Sequence, residues 1–235
     1  MLPIRDVNPT RRAPILTYAL LAANVIVFLI QLGMSERELF TTFINDAVVP
    51  LRLSQNLFSV DSLVDMIRSM FFHGGWLHLL SNMLYLWIFG DNVEDQLGKV
   101  LFLILYFASG FAAILAQVAI DPTSTVPLVG ASGAIAGVLG SYALMFPRAG
   151  VRGLVFLGFF AQFVELPALV VLGFWFVTQL FSGAMSLGVT TATGGGVAFF
   201  AHIGGFVVGV GLTLLFRLVL PPPGGSRPQP VYRRY

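Results

Sequence analysis

The chain has 235 residues, of which 57% are hydrophobic and only 10% are charged. A soluble globular protein carries about 25% charged residues, so this composition excludes an ordinary water-soluble domain. The formal net charge is +2, and no basic stripe with interleaved aromatic residues occurs, so nucleic acid is not an expected partner. Cysteine is absent, which excludes a cysteine nucleophile and a disulfide framework.

Six apolar runs are candidates for membrane-spanning helices. A span needs about 20 mainly apolar residues, because the hydrocarbon layer is about 30 Å thick. The runs are 14–33, 75–90, 100–120, 127–146, 166–184 and 197–216. The first run follows two arginines but lacks a clear small-x-small cleavage site, so we interpret it as a retained helix rather than a signal peptide. The prediction is an all-α polytopic membrane protein.

The chain is expected to hold one folded unit. Residues 1–13 form a short cytoplasmic segment, and residues 14–220 form the six-helix membrane domain. Residues 221–235 contain five prolines and no periodic apolar pattern, so they are predicted to be a disordered cytoplasmic tail.

The apolar segment 151–164 decides how the later helices are oriented. At about 1.5 Å per residue it reaches only about 21 Å, and Glu165 and Pro167 close it. We therefore expect a buried or interfacial segment rather than a seventh span. With six spans, ten Lys and Arg residues fall on one side and three on the other, which satisfies the positive-inside rule with both termini in the cytoplasm.

This topology brings four polar residues to a similar depth. The second, fourth and sixth spans all begin on the outer side and run inward in parallel. Near their starts lie His78 with Asn82, then Ser132, then His202. A polar side chain inside a span is costly unless it faces protein or water, so each of them is a candidate functional residue. The alternative is that each merely hydrogen-bonds a neighbouring helix.

Ser132 and His202 are the candidate nucleophile and base. A serine hydroxyl needs a base within about 2.6–3.2 Å to accept its proton. Gly133 with Gly137 on the fourth span, and Gly205 with Gly209 on the sixth, have the small-residue spacing that lets two membrane helices pack closely. A Ser132–His202 hydrogen bond requires such close packing. No carboxylate is expected behind His202, so the sequence predicts a Ser-His dyad whose histidine is oriented by packing.

Acyl transfer also needs donors for the developing oxyanion. His78 and Asn82 are four residues apart on one helical face, and both side chains donate hydrogen bonds. The backbone N–H of Ser132, near a helix start, is a third candidate. The sequence around Ser132 is not the Gly-x-Ser-x-Gly elbow of soluble hydrolases, since Ala134 follows Gly133.

Three ordered motifs resemble the rhomboid family of intramembrane serine proteases. They are "HGGWLHLLSNM" with His78 and Asn82, "GASGAIAG" with Gly130 and Ser132, and "AHIGGFVVG" with His202. The segment "GDNVEDQLG" at 90–98 is also similar, and the resemblance runs over about 70–216.

The resemblance implies a six-helix rhomboid-like bundle that opens to the outer side. It implies Ser132 as nucleophile, His202 as base, and His78, Asn82 and the Ser132 amide as oxyanion donors. The implied substrates are transmembrane helices, and residues 34–70 would be a long first loop partly embedded in the outer leaflet. Several relatives have a tyrosine four residues after the serine that packs on the histidine. This position is Ala136 here, so the support for His202 must come from elsewhere.

A second departure from the family lies before the first motif, where many relatives carry a Trp-Arg pair. This chain has "DMIRSM" there, with Arg68 as the nearby arginine. Weaker candidates for supporting roles are His73, which could bond the loop or retain water, and Trp175 with Gln179 on one face of the fifth span. Interhelical packing with one hydrogen bond is the simpler interpretation of Trp175 and Gln179, and lining of a substrate gate is the alternative.

Two other functions compete with proteolysis. One is a catalytically inactive rhomboid-like protein that binds transmembrane helices. The other is a proton-coupled transporter with His78 and His202 as a relay, which is disfavoured because no acid is expected within a span. No cofactor is expected, and three histidines without cysteine make a poor zinc site. The expected partners are transmembrane substrates and the lipid bilayer, and the expected location is a bacterial plasma membrane.

Overall fold

The computed structural model describes residues 1–157, 160–186 and 198–218. The segment 221–235, predicted to be a disordered tail, lies outside the described residues. The helices are α1 (Ile15–Leu32), α2 (Glu36–Asp46), α3 (Pro50–Gln55), α4 (Val60–Ser69), α5 (Trp76–Ile120), α6 (Ser132–Met145), α7 (Ala168–Ser186) and α8 (Phe199–Phe216). The strands are β1 (Leu2–Asp6), β2 (Gly150–Leu157) and β3 (Phe160–Pro167).

The predicted helical membrane bundle is confirmed. Within the described residues, four helices are long and apolar enough to cross a membrane, namely α1, α5, α7 and α8. Helix α5 has 45 residues, which correspond to about 68 Å, about twice the hydrocarbon thickness. It therefore supplies two of the predicted spans, and with the shorter α6 the bundle has the six expected membrane helices.

Helix α5 is broken at Gly98, where φ is +74° and ψ is 168°. The chain reverses at this break, because Gly110 in the second half lies against the side chain of Met70, which precedes the first half. Glycine is suited to the position since a positive φ is costly for other residues. The two halves therefore pack as antiparallel neighbours, as the runs 75–90 and 100–120 predict.

Helix α6 is short because it begins inside the protein. The predicted span 127–146 becomes helical only at Ser132, and α6 then runs for 14 residues, or about 21 Å. The non-helical stretch before it is tied to the loop region, since Leu128 N–H donates to the carbonyl of Val48 and Gly130 N–H to that of Ser69. All residues from Gly133 to Ala143 are buried, so α6 is the enclosed centre of the bundle.

The region between the first two spans is folded into α2, α3 and α4. Ser35 and Glu38 form a capping box at the start of α2, which satisfies backbone donors at that helix end. Arg52 forms an ion pair with Asp65 at 2.8 Å and also donates to the carbonyls of Ile44 and Ala47. The predicted first loop is thus held together by its own contacts as well as by its contacts with the bundle.

The described residues of the segment 151–164, namely 151–157 and 160–164, form strands rather than a helix. They lie in the β2–β3 hairpin, in which Leu154 pairs with Phe163, and β1 adds a third antiparallel strand through Leu2 and Leu154. The expectation that this segment is not a span is confirmed. The small sheet itself was not predicted, because a short apolar run has no periodicity that separates strand from helix.

None of the predicted spans contains an acid, but the helix of the second span extends beyond residue 90 and carries three there. Helix α5 continues past Gly90 through Asp91 and Glu94, and both are buried. Glu94 accepts hydrogen bonds from the backbone N–H groups of Leu16 and Thr17 at 3.0 and 2.7 Å. These amides lack partners within α1, so the carboxylate caps that helix at the end of the bundle away from His202.

Candidate active site

The loop that leads into Ser132 is fitted closely to the helix that carries His78. Gly130 has a φ of +124°, a region that disfavours residues with a side chain. A Cβ at Gly130 would also come within 2.5 Å of His78 Nε2 and 3.7 Å of Asn82 Nδ2. Both the backbone conformation and the available space therefore require glycine at this position. The imidazole of His78 and the side-chain amide of Asn82 converge on Gly130, two residues before Ser132.

Helices α6 and α8 are in direct backbone contact beside Ser132 and His202. A Cβ on Gly205 would collide with the carbonyl oxygen of Gly133, so only glycine allows the helices to pack this closely. A Cβ on Gly133 would lie 3.8 Å from the carbonyl oxygen of Ala201. Gly133 directly follows Ser132 and Ala201 directly precedes His202, so the contact brings the serine and histidine positions close together, as the glycine spacing predicts.

His202 is held by residues of α7. Its Nδ1 lies 2.8 Å from Oε1 of Gln179, and the ring of Trp175 lies beside the imidazole at a centroid distance of 5.8 Å. Within the described part of the chain, no hydrogen bond joins Ser132 to His202, so the predicted bond stays a prediction. Catalytic hydrogen bonds are often long without substrate and tighten only in the reacting complex.

The orientations of His78 and Asn82 suit donation to an oxyanion. His78 Nδ1 accepts a long hydrogen bond of 3.5 Å from the backbone N–H of Gly74. In a neutral ring the proton then lies on Nε2, the atom that faces Gly130. Asn82 is buried, and its Nδ2 donates to Nε2 of His73 at 3.0 Å. An amide nitrogen carries two protons, so one remains for a ligand.

His73 anchors this side of the site. Its Nδ1 donates to the carbonyl of Phe71 at 3.1 Å, which leaves Nε2 as the acceptor for Asn82. Gln31, near the end of α1, makes two hydrogen bonds to the His73 backbone, at 2.9 and 3.1 Å. Burial, and then the proximity of His78, lower the pKa of His73 to about 4. His73 is therefore neutral at physiological pH, as its accepting role requires.

A known protein family matches the part of the chain that carries this site. Residues 60–218 match the family model described as the Rhomboid domain. The chain belongs to the rhomboid family. The match includes the helices that carry His78, Ser132, Gln179 and His202, so the resemblance of the three motifs is confirmed at the level of the family.

Curated rhomboid relatives come from several kinds of organism. Rhomboid protein 1, mitochondrial, of Saccharomyces cerevisiae is 33% identical over 199 residues, which are 83% of this chain and 51% of the relative. RHOMBOID-like protein 4 of Arabidopsis thaliana is 34% identical over 147 residues, 62% of this chain and 32% of the relative. Rhomboid protease GluP of Bacillus subtilis is 42% identical over 69 residues, 29% of this chain and 13% of the relative. The chain thus spans about half or less of the length of these relatives.

All the candidate site residues of this rhomboid lie in one region of the bundle. Gly130, two residues before Ser132, lies against His78 and Asn82, and Gly133, directly after it, lies against the helix that carries His202. Gln31 was not predicted from the sequence, where its only signal is a polar residue near the end of the first span. Packing alone was expected to orient His202, whereas Gln179 adds a hydrogen bond.

Proposed function

We propose that this rhomboid is an intramembrane serine endopeptidase in which Ser132 is the nucleophile and His202 is the general base. The observation that carries the proposal is the hydrogen bonding of the His202 ring. Its Nδ1 is engaged by Gln179, which leaves Nε2 as the free ring nitrogen, and the α6–α8 glycine contact lies directly beside it. Membership of a family that includes proteins named rhomboid protease supports the same activity.

The first half of the reaction forms an acyl-enzyme. Ser132 Oγ attacks the carbonyl carbon of the scissile peptide bond while its proton passes to His202 Nε2. The carbonyl oxygen becomes an oxyanion, which His78 Nε2–H, an Asn82 Nδ2–H and the Ser132 backbone N–H stabilise. Each such donor commonly supplies about 3 kcal/mol of transition-state stabilisation. The C–N bond then breaks, and the His202 proton goes to the leaving amine.

The second half of the reaction uses water. His202 Nε2 removes a proton from a water molecule as its oxygen attacks the ester carbon of the acyl-enzyme. The ester C–O bond breaks and the proton returns to Ser132 Oγ, which releases a new carboxyl terminus. The partly exposed side chains of Ser132, His78 and His202 are consistent with access of water to the reacting atoms.

Transmembrane helices are the proposed substrates. A soluble peptide would have to leave water to reach a site in the middle of a helical bundle, whereas a membrane helix approaches within the bilayer. Helix α7 has few buried residues and presents Phe174, Val177 and Phe181 outward, so it offers an apolar surface to such a helix. A bacterial plasma membrane, with both termini in the cytoplasm, is the proposed setting.

Cleavage of a single-span reporter protein in liposomes tests this function. The wild-type protein should release two fragments, and Ser132→Ala should release none while keeping its thermal stability. Ser141→Ala is the matched control, because Ser141 is a serine of the same helix that bonds Thr213 instead. Continued cleavage by Ser132→Ala would overturn the proposal. Reporter binding without cleavage by the wild type would favour the inactive, helix-binding alternative.

A further inference from the structure

Gln179 lies on α7, about two turns before the helix ends, and its side chain reaches across to α8. Its Oε1 is 2.8 Å from His202 Nδ1, and its Nε2 lies 3.5 Å from Oγ1 of Thr178. The Thr178 hydroxyl donates to the carbonyl of Trp175, so its oxygen is left to accept from the Gln179 amide nitrogen. The amide therefore presents its oxygen to the imidazole, and His202 Nδ1–H is the donor.

This hydrogen bond selects one of the two neutral forms of His202. With the proton on Nδ1, Nε2 carries a lone pair and is able to act as a base. The other tautomer would put the proton on Nε2 and leave Nδ1 and Gln179 Oε1 as two acceptors facing each other. The Trp175 ring, which lies beside the imidazole, also restricts rotation of the His202 ring. The bond is partly buried, and this makes it more selective, since an unpaired polar group with reduced access to water is costly.

Resting on the proposed function, we propose that Gln179 is a positioning residue that holds His202 in its basic tautomer. It thereby does with a neutral amide what a carboxylate does in a serine protease triad. The amide oxygen accepts the Nδ1–H hydrogen bond without placing a formal charge between α7 and α8. Gln179 also supplies support that Ala136, which is fully buried on α6, cannot give to the ring.

Substitution of Gln179 separates positioning from simple packing. Gln179→Met keeps the length of the side chain but has no carbonyl acceptor, whereas Gln179→Glu keeps an oxygen at the same distance. The matched control is Gln162→Met, since Gln162 is an exposed residue of β3 at the other end of the bundle. For each variant, kcat and KM are measured with the reporter helix, together with the rate of modification by a fluorophosphonate and the thermal stability.

For Gln179→Met we expect kcat and the modification rate to fall about tenfold or more, with KM within about twofold of wild type. Gln179→Glu should recover most of both rates, and Gln162→Met should match the wild type. A wild-type modification rate in Gln179→Met, or an effect on KM alone, would overturn the inference. Should Gln179→Met not fold, Gln179→Glu decides: rates near wild type support positioning, and a folded but inactive protein contradicts it.

These outcomes also distinguish the inference from the proposed function. If the wild-type protein neither cleaves the reporter nor reacts with the fluorophosphonate, the protease proposal itself fails. If the wild type is active and Gln179→Met is equally active, only the role of Gln179 fails.

Discussion

Gly205 of α8 packs against Gly133 of α6 so closely that a Cβ on Gly205 would collide with the Gly133 carbonyl oxygen. This contact lies one residue after Ser132 and three residues after His202. The same packing therefore holds the bundle together and sets the separation of the proposed nucleophile and base.

Gly205→Ala is expected to separate α6 from α8. The added methyl group has no room, and such overpacking typically costs about 1–3 kcal/mol of stability. Because Ser132 and His202 flank the contact, reporter cleavage should fall more steeply than stability. Thermal unfolding and cleavage assays at a temperature where the variant remains folded measure the two effects.

Gly211→Ala is the control for this prediction. Gly211 lies on the same helix, and a Cβ there would meet nothing within 4 Å. Its substitution should be neutral or slightly stabilising, since alanine favours helix by up to about 1 kcal/mol over glycine. Equal effects of the two substitutions would contradict the account of the glycine contact.

Because His73 is buried, we expect the free energy of unfolding of the protein to depend on pH. The pKa of His73 is lowered in the folded protein to about 4 from the ordinary 6.5, mainly by burial, so the unfolded chain binds a proton at a higher pH. The stability that neutral His73 contributes is fully present above about pH 6.5 and is lost as the pH falls towards 4. By pH 4.5 the loss should reach roughly 2 kcal/mol.

His73→Gln removes this titrating group while leaving a side chain that can still accept from Asn82. Its melting temperature, measured from pH 7.5 to 4.5, should fall less than that of the wild type. The other two histidines are present in both proteins, so the difference between the two curves reports the loss of His73. Parallel curves for the two proteins would show that His73 does not carry the effect.

A cysteine pair tests whether α7 must separate from α8 to admit a substrate. A Cβ on Gly183 would lie 3.4 Å from the Cβ of Phe199, close to the spacing of a disulfide, and the chain has no cysteine of its own. The oxidised Gly183→Cys, Phe199→Cys variant keeps the two helices together. Its reporter cleavage should fall severalfold and return on reduction, while its reaction with a small fluorophosphonate continues.

The single variants Gly183→Cys and Phe199→Cys, treated with the same oxidant, control for the substitutions themselves. If the oxidised double variant cleaves the reporter as fast as its reduced form, substrate entry does not require α7 to move away from α8. The first loop would then be the remaining candidate for the entry point.

The sequence predicted the helical elements of the site because those patterns are strong. Long apolar runs mark membrane helices, and glycine spacing around Ser132 and His202 indicates their close packing. It did not predict the β2–β3 hairpin, since residues 151–164 are apolar without a helical or strand period. Nor did the sequence predict that Gln179 bonds His202. A glutamine in a span needs a hydrogen-bond partner, but the identity of that partner depends on how α7 packs against α8.

The sequence also did not predict that α6 begins only at Ser132. The apolar run begins at residue 127, yet the backbone before Ser132 is non-helical because it bonds the loop region through Leu128 and Gly130. Irregular backbone is tolerated in a membrane domain only where protein or a water-filled cavity surrounds it. The hydrophobicity of a segment reports its environment, and its local conformation depends on those tertiary bonds.

Identification of the residue modified by a fluorophosphonate tests the central claim most directly. The wild-type protein in liposomes is treated with the reagent, digested and analysed by mass spectrometry. We expect a single modified residue, Ser132, with modification lost in Ser132→Ala and strongly reduced in His202→Ala. Modification of another serine, or none in a preparation that cleaves the reporter, would contradict the assignment of Ser132 and His202.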